Sequence, residues 1–134
     1  MPADFTLDES KKLIISRARG HLTLQELMNH LLELRSQFED GTIDVSWAQI
    51  VHLEDIESLE TVTSQKIRQL ADASDWPEAC PRAVIAPDKL IFGFARMYQM
   101  WGGSRTKYFK VSRTETEAED FIRSFRKKAD PVSM

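Results

Sequence analysis

Residues 82–103 read RAVIAPDKLIFGFARMYQMWGG, and the parsing of this stretch decides the fold. Ala83, Val84, Ile85 and Ala86 form a continuous apolar run without alternation, the pattern of a strand covered on both faces. Pro87 has no N–H to give a neighbouring strand and stops the run. Asp88 follows where a carboxylate can accept from the first N–H groups of a helix. From Asp88 to Trp101, nine of fourteen residues are apolar or aromatic. At about 100° per residue, Leu90, Ile91, Phe94, Ala95, Met97, Tyr98 and Trp101 share an arc of roughly 160°. Phe92 and Met100 fall outside it, beside Lys89 and Arg96. Gly102 and Gly103 predict a left-handed C-terminal cap. Gly93, mid-helix at a cost of about 1 kcal/mol relative to alanine, predicts a neighbour close to the backbone there. The stretch is therefore a central strand followed by a helix across the sheet.

Outward from that centre, strands and helices alternate. Phe5–Leu7 and Leu13–Ile15, joined by the polar turn DESKK, predict an N-terminal β-hairpin, with Gly20 closing its second strand. Thr23 and Glu26 have capping-box spacing, with Leu22 and Leu27 as the staple, and Leu24, Leu27, Met28, Leu31, Leu34 and Phe38 make the helix stripe. After the turn Asp40-Gly41, residues 43–53 predict an interior strand. The acidic run 54–60 predicts a loop into a helix capped by Thr61 or Thr63 and carrying Ile67, Leu70 and Ala71. Asp75-Trp76-Pro77 ends it. Tyr108, Phe109 and Val111 predict the last strand. Thr116 and Glu119 form a second capping box, before a helix with Ala118, Phe121, Ile122 and Phe125; residues 127–134 are expected to fray. The order β-β-α-β-α-β-α-β-α implies one α/β domain over residues 1–134. Its single open mixed sheet is mainly parallel, with about five strands, the antiparallel hairpin strand and four helices.

The totals set bounds. The 134 residues suffice for a core without staples. A single cysteine, Cys80, excludes an internal disulfide and fits a reducing cytosol. The acidic N-terminus lacks the apolar segment of a secretory signal, and no run approaches the roughly 20 apolar residues of a membrane span. The net charge of −3 is unevenly spread: residues 1–81 carry seven Lys/Arg against fifteen Asp/Glu, residues 82–128 eleven against five. The asymmetry points to an anionic partner for the second half, unless the halves interleave and cancel, as early and late elements of α/β chains commonly do.

Catalytic chemistry is sparse. His21, His30 and His52 have no second ligand at metal spacing, so no metal or cofactor is expected. No glycine-rich phosphate loop follows a strand, and no serine stands in a nucleophile elbow. The carboxylates Glu54, Asp55, Glu57 and Glu60 lie at a strand end, where a solvated loop is the simpler reading than a ligand site. Arg105, Lys107, Lys110 and Arg113 surround Tyr108 and Phe109, but Phe109 and Val111 are core positions and the chain is acidic, so no nucleic acid is expected.

The element order and the run AVIAP-D-x-L-x-FGFARMY, within residues 82–98, resemble the SpoIIAA-like family of small bacterial STAS/CRAL-TRIO-type domains, over residues 13–125. The resemblance implies a mixed sheet with packed helices, a cytoplasmic bacterial setting and no enzymatic activity. It also implies relatives of two kinds: anti-sigma-factor antagonists that switch partners on serine phosphorylation, and lipid-carrying CRAL-TRIO proteins. The antagonists' switch serine follows an aspartate and precedes a glycine. Here the matching junction reads Glu60-Thr61-Val62-Thr63-Ser64-Gln65-Lys66, so Thr63 and Ser64 are the candidate hydroxyls, and both flanking signals are missing.

Two binding roles follow. In the first, a non-enzymatic lipid-binding type of domain engages an apolar small molecule or an anionic membrane surface through helix 88–101. Trp47, Phe92, Arg96, Met97, Tyr98, Met100 and Trp101 would be its contacts, and the protein would sit in the cytoplasm or at the inner face of the membrane. In the second, a regulatory domain of the antagonist type docks a protein partner, gated by phosphate at Thr63 or Ser64. Phe92 and Met100 also offer a surface for a homodimer.

Overall fold

The computed structural model describes residues 3–61, 63–73 and 76–129. Residues 127–129, expected to fray, are helical, while 130–134 lie outside the described residues, as does Asp75, the first residue of the predicted break. Five strands, β1 (Ala3–Asp8), β2 (Leu13–Leu22), β3 (Ala48–Leu59), β4 (Arg82–Ile85) and β5 (Phe109–Ser112), form one sheet in chain order. β1 runs antiparallel to β2, and every other pair is parallel. The connecting helices are α1 (Leu24–Glu39), α2 (Ser64–Ala73) and α3 (Lys89–Trp101), with α4 (Glu115–Ala129) after β5. The mixed, mainly parallel five-stranded sheet with four helices is the architecture the pattern implied.

Each parallel connection steps one strand in the same direction, so crossovers of one hand lay α1, α2 and α3 on the same face. The packing agrees. Val84 of β4 and Ala86 just after it join Ile67, Leu70, Ile91, Tyr98 and the apolar stripe of α1, while Ala83 and Ile85 turn to Ala118 and Ile122 of α4. β4 is buried at all four positions, as an unalternating run requires. Asp88 caps α3 by accepting from the N–H groups of Leu90 (2.9 Å) and Ile91 (3.1 Å). Thr23 and Glu26 close the capping box of α1.

Several boundaries differ from expectation. β2 continues through Gly20 to Leu22, with two register shifts against β3, and its extra length gives the acidic run a partner. Residues 54–59 are thus strand rather than loop, with Glu54, Asp55, Glu57 and Ser58 exposed and Ile56 and Leu59 turned inward. Residues 43–47 are not strand. Asp40 accepts from Thr42 N–H (2.9 Å) and Asp44 from Ser46 N–H (2.7 Å), and these side-chain turns fold the segment before Ala48. α4 is capped by Thr114, which accepts from Glu117 N–H (3.2 Å), two residues before the predicted Thr116.

The glycines of α3 also divide differently. Only Gly103 is left-handed (φ 59°); Gly102 is right-handed (φ −73°) and is glycine because Thr106 lies against it. A Cβ at Gly102 would stand 2.3 Å from Thr106 Cγ2, whereas a Cβ at Gly93 meets nothing within 4 Å. The close neighbour expected at Gly93 is absent from the described residues. Gly93→Ala should therefore stabilise the fold by about 0.5–1 kcal/mol. Gly102→Ala should destabilise it by about 1–3 kcal/mol through steric conflict. Urea midpoints of the two variants check the opposite signs.

Strand order bears on the charge asymmetry. Because the sheet keeps chain order, early and late strands do not interleave, although α2 packs on α3 and α4 reaches β3. β1–β3 come from the acidic part of the sequence, although β2 itself carries Arg17 and Arg19 and no carboxylate, and β4 and β5 come from the basic part.

Candidate functional site

The sheet face under α1–α3 carries a polar row at the start of the parallel strands and an apolar space beyond it. Gln49 and Arg82 are register partners on β3 and β4. Gln49 Nε2 donates to Ser16 Oγ (2.8 Å), which also shares a hydrogen bond with His30 Nε2 (2.9 Å). Arg82 Nη1 donates to the Tyr98 hydroxyl (2.8 Å). The guanidinium also stacks near the rings of Trp76 (4.4 Å) and Phe109 (5.0 Å). All these polar side chains are buried, and no buried polar side-chain atom among the described residues lacks a partner. Such a satisfied layer is rigid, since any move breaks a bond in low dielectric.

Beyond the polar row lies a cavity of about 130 Å³ between the sheet and the three helices. Leu27 and Leu31 of α1, Ile67 and Leu70 of α2, and Ile91, Phe94 and Ala95 of α3 form its roof. Val51, Leu53, Ile56 and Val84 form its floor, and the extension of β3 past the end of β4 makes one wall. It sits at the C-terminal side of the parallel strands, where open α/β sheets place ligands. Its lining is almost wholly hydrocarbon, with Gln49, His30, Arg82 and Tyr98 at the polar end.

Of the residues expected to bind ligand, Tyr98 alone lines this cavity. Phe92 and Met97 are half-buried on the adjoining core, and the Arg113 guanidinium lies 4.3 Å over the Phe92 ring. Arg96 is exposed, as are Met100 (77%) and Trp101 (42%), the latter under the Arg68 guanidinium at 5.1 Å. Trp47 is not near them: it packs with Ile14, Leu34, Ile43, Trp76 and Cys80 beside α1, because residues 43–47 form turns and not the interior strand. Thr63 and Ser64 are exposed at the start of α2, where Thr63 Oγ1 accepts from Lys66 N–H (3.2 Å) as an ordinary cap.

The remaining chemistry is structural. Burial pushes the Cys80 thiol up to about 12, so it is protonated and unreactive at neutral pH. His21 Nδ1 lies 2.7 Å from Ser58 Oγ on exposed strand ends, across the register of β2 and β3. Among the described residues no group of three or more His, Cys, Asp or Glu is placed to hold a metal, and no helix is long and apolar enough to cross a membrane. A wider recess of about 580 Å³ lies on the opposite face between β2 and α4. Two of its rim cations are engaged within the chain: Arg123 with Asp120 (2.9 Å) and Arg126 with the Lys12 carbonyl (2.6 Å).

Burial holds the His30 imidazole below its usual range, opposed by the more distant charges of Glu33 and Asp4. The unfolded chain takes up that proton near pH 6.5 and the fold only at lower pH. Between those values the unfolded state binds more protons, so stability falls as pH drops below 6.5. His30→Gln should flatten that part of the slope. Denaturant midpoints of both proteins from pH 7 to pH 5 check it.

No protein-family model and no curated protein matches the sequence. Solved structures do match. An uncharacterised protein of the DUF3478 family with a SpoIIAA-like fold, from Shewanella loihica PV-4, aligns with a TM-score of 0.55 at 12% identity, over 90% of this chain and 93% of its own. The anti-sigma factor antagonist SpoIIAA in its unphosphorylated form aligns with a TM-score of 0.51 at 13% identity, over 90% of this chain and 98% of its own. At such identities the likeness is one of fold: this chain is an α/β domain with the SpoIIAA-like fold.

Proposed function

We propose that this chain is a cytoplasmic binding domain, not an enzyme, that takes a small apolar molecule between its sheet and helices α1–α3. The cavity of about 130 Å³ carries the reading. Its size is close to that of engineered cavities of about 150 Å³ that stay dry and accept benzene or xenon. It suits a single ring or a short branched chain rather than the acyl chains of a whole lipid. The satisfied polar row supports an uncharged occupant, since a ligand there has no orphaned donor to meet. Titration of a methyl-labelled sample with toluene tests this. Saturable shifts confined to the methyls of Leu27, Ile67, Val84 and Ile91 are expected. Unchanged methyl spectra at toluene saturation would end the reading.

A second reading is a regulatory protein-interaction domain of the anti-sigma-factor-antagonist type. It is favoured by the likeness to the antagonist and by two exposed hydroxyls, Thr63 and Ser64, at the start of α2. Phosphate there would meet the positive end of the helix dipole. Phosphopeptide mapping from cells, with affinity capture by wild type and by a Thr63→Ala/Ser64→Ala double variant, tests it. The reading requires phosphate at one of these positions and a partner whose capture differs between the two proteins.

A further inference from the structure

We propose that the outer face of α3 docks on an anionic lipid bilayer, placing the helix that roofs the cavity at a membrane surface. α3 is apolar on two sides. Its inner side, Ile91, Ala95 and Tyr98, is turned to the core. Its outer side leaves Leu90 63%, Met100 77% and Trp101 42% exposed, three of the five large hydrophobic residues that the described surface exposes. Isolated exposed apolar residues are common, but three on one 13-residue helix, with open space over Gly93 between them, make a continuous stripe.

The occupant is argued from charge. The only acidic residue in 88–101 is Asp88, and its carboxylate is spent on the helix cap. Lys89 and Arg96 flank the stripe and are exposed. Arg68 leans on Trp101 and Arg113 on Phe92, so further cations border the same surface. α2, the neighbour of α3 from the acidic part of the sequence, meets Trp101 with the cation of Arg68 and not with a carboxylate. A second copy of α3 would bring like charges together, since both helices would present Lys89 and Arg96. An anionic bilayer meets both features: the apolar stripe enters the headgroup boundary, and the nearby cations are drawn to the anionic headgroups. A tryptophan at the helix end has the amphipathic ring that favours that depth.

The inference is independent of the cavity ligand, although the two are compatible, because Leu90 and Met100 do not line the cavity. Co-sedimentation with vesicles of phosphatidylcholine containing phosphatidylglycerol, against pure phosphatidylcholine, tests it. Binding is expected to the anionic vesicles, to weaken at high salt, and to fall at least about tenfold in the exposed-site double variant Leu90→Glu/Met100→Glu. Circular dichroism and the toluene titration on the same variant report whether fold and cavity are intact. No binding to anionic vesicles at low salt overturns the proposal, as does equal binding by a folded double variant. Light scattering that shows a wild-type dimer lost in the double variant, without vesicle binding, would assign the stripe to a second copy instead.

Discussion

Ile85→Ala is expected to destabilise the protein by about 2–5 kcal/mol, enough to leave a domain of ordinary stability marginally folded at 37 °C. Ile85 is 1% exposed on β4, which lies next to the edge strand β5 and not at the expected middle of the sheet, and packs on the α4 side with Ala48, Ile50, Ala118 and Ile122. Apart from Ile122 of α4, its neighbours are backbone-pinned alanines and the strand residue Ile50, which collapse little into the space of three lost carbons. The cost should therefore lie towards the upper part of that range. The control is Leu90→Ala on the outer side of α3, where loss of an exposed side chain should change stability by less than about 0.5 kcal/mol. Urea unfolding followed by circular dichroism measures both. Equal losses would mean that residues 83–86 are not buried within the sheet.

Ala95→Leu is expected to do the reverse on the other face. Ala95 lies on the cavity side of α3, and leucine adds three carbons to a wall beside about 130 Å³ of empty space. Alanine and leucine have similar helix propensities, so the backbone contributes little. Filling the void should stabilise the ligand-free protein by about 1 kcal/mol, or roughly 3–5 °C in Tm. The same side chain should weaken toluene binding by about a hundredfold, since it occupies the ligand's place. If the interior were fully packed, the substitution would instead overpack it and cost about 1–3 kcal/mol. The sign of the Tm change separates the two cases.

The elements most legible in the sequence were those written in local chemistry. The Thr23/Glu26 box, the Asp88 cap and the unalternating run 83–86 each name a backbone state directly, and all three stand in the structure. Elements set by distant partners were not legible. The acidic run at 54–59 reads as loop until β2, some 35 residues earlier in the register, extends to pair with it. Residues 43–47 have the apolar alternation of a strand, but the Asp40 and Asp44 side chains turn the chain first.

The site was half legible for the same reason. Excess apolar content singled out α3, and Tyr98 does line the cavity. A void, however, has no letter of its own: Leu27, Val84 and Ile91 look the same in sequence whether the space between them is filled or empty. Arg82 carried a usable signal, a charged residue at the head of an otherwise apolar, fully buried strand. Only the structure places the rings of Trp76, Tyr98 and Phe109 around it. Trp47 sits away from α3 because the expected strand over 43–47 is a pair of turns, and it packs with Ile14, Leu34, Ile43, Trp76 and Cys80.

The most direct measurement of the central claim is a crystal of the ligand-free protein pressurised with xenon. Xenon seeks dry apolar space and needs no hydrogen-bond partner. One ordered xenon atom among Leu27, Ile67, Val84 and Ile91 is the result this account predicts. Side chains meeting across that space, with no xenon between sheet and helices, would contradict it.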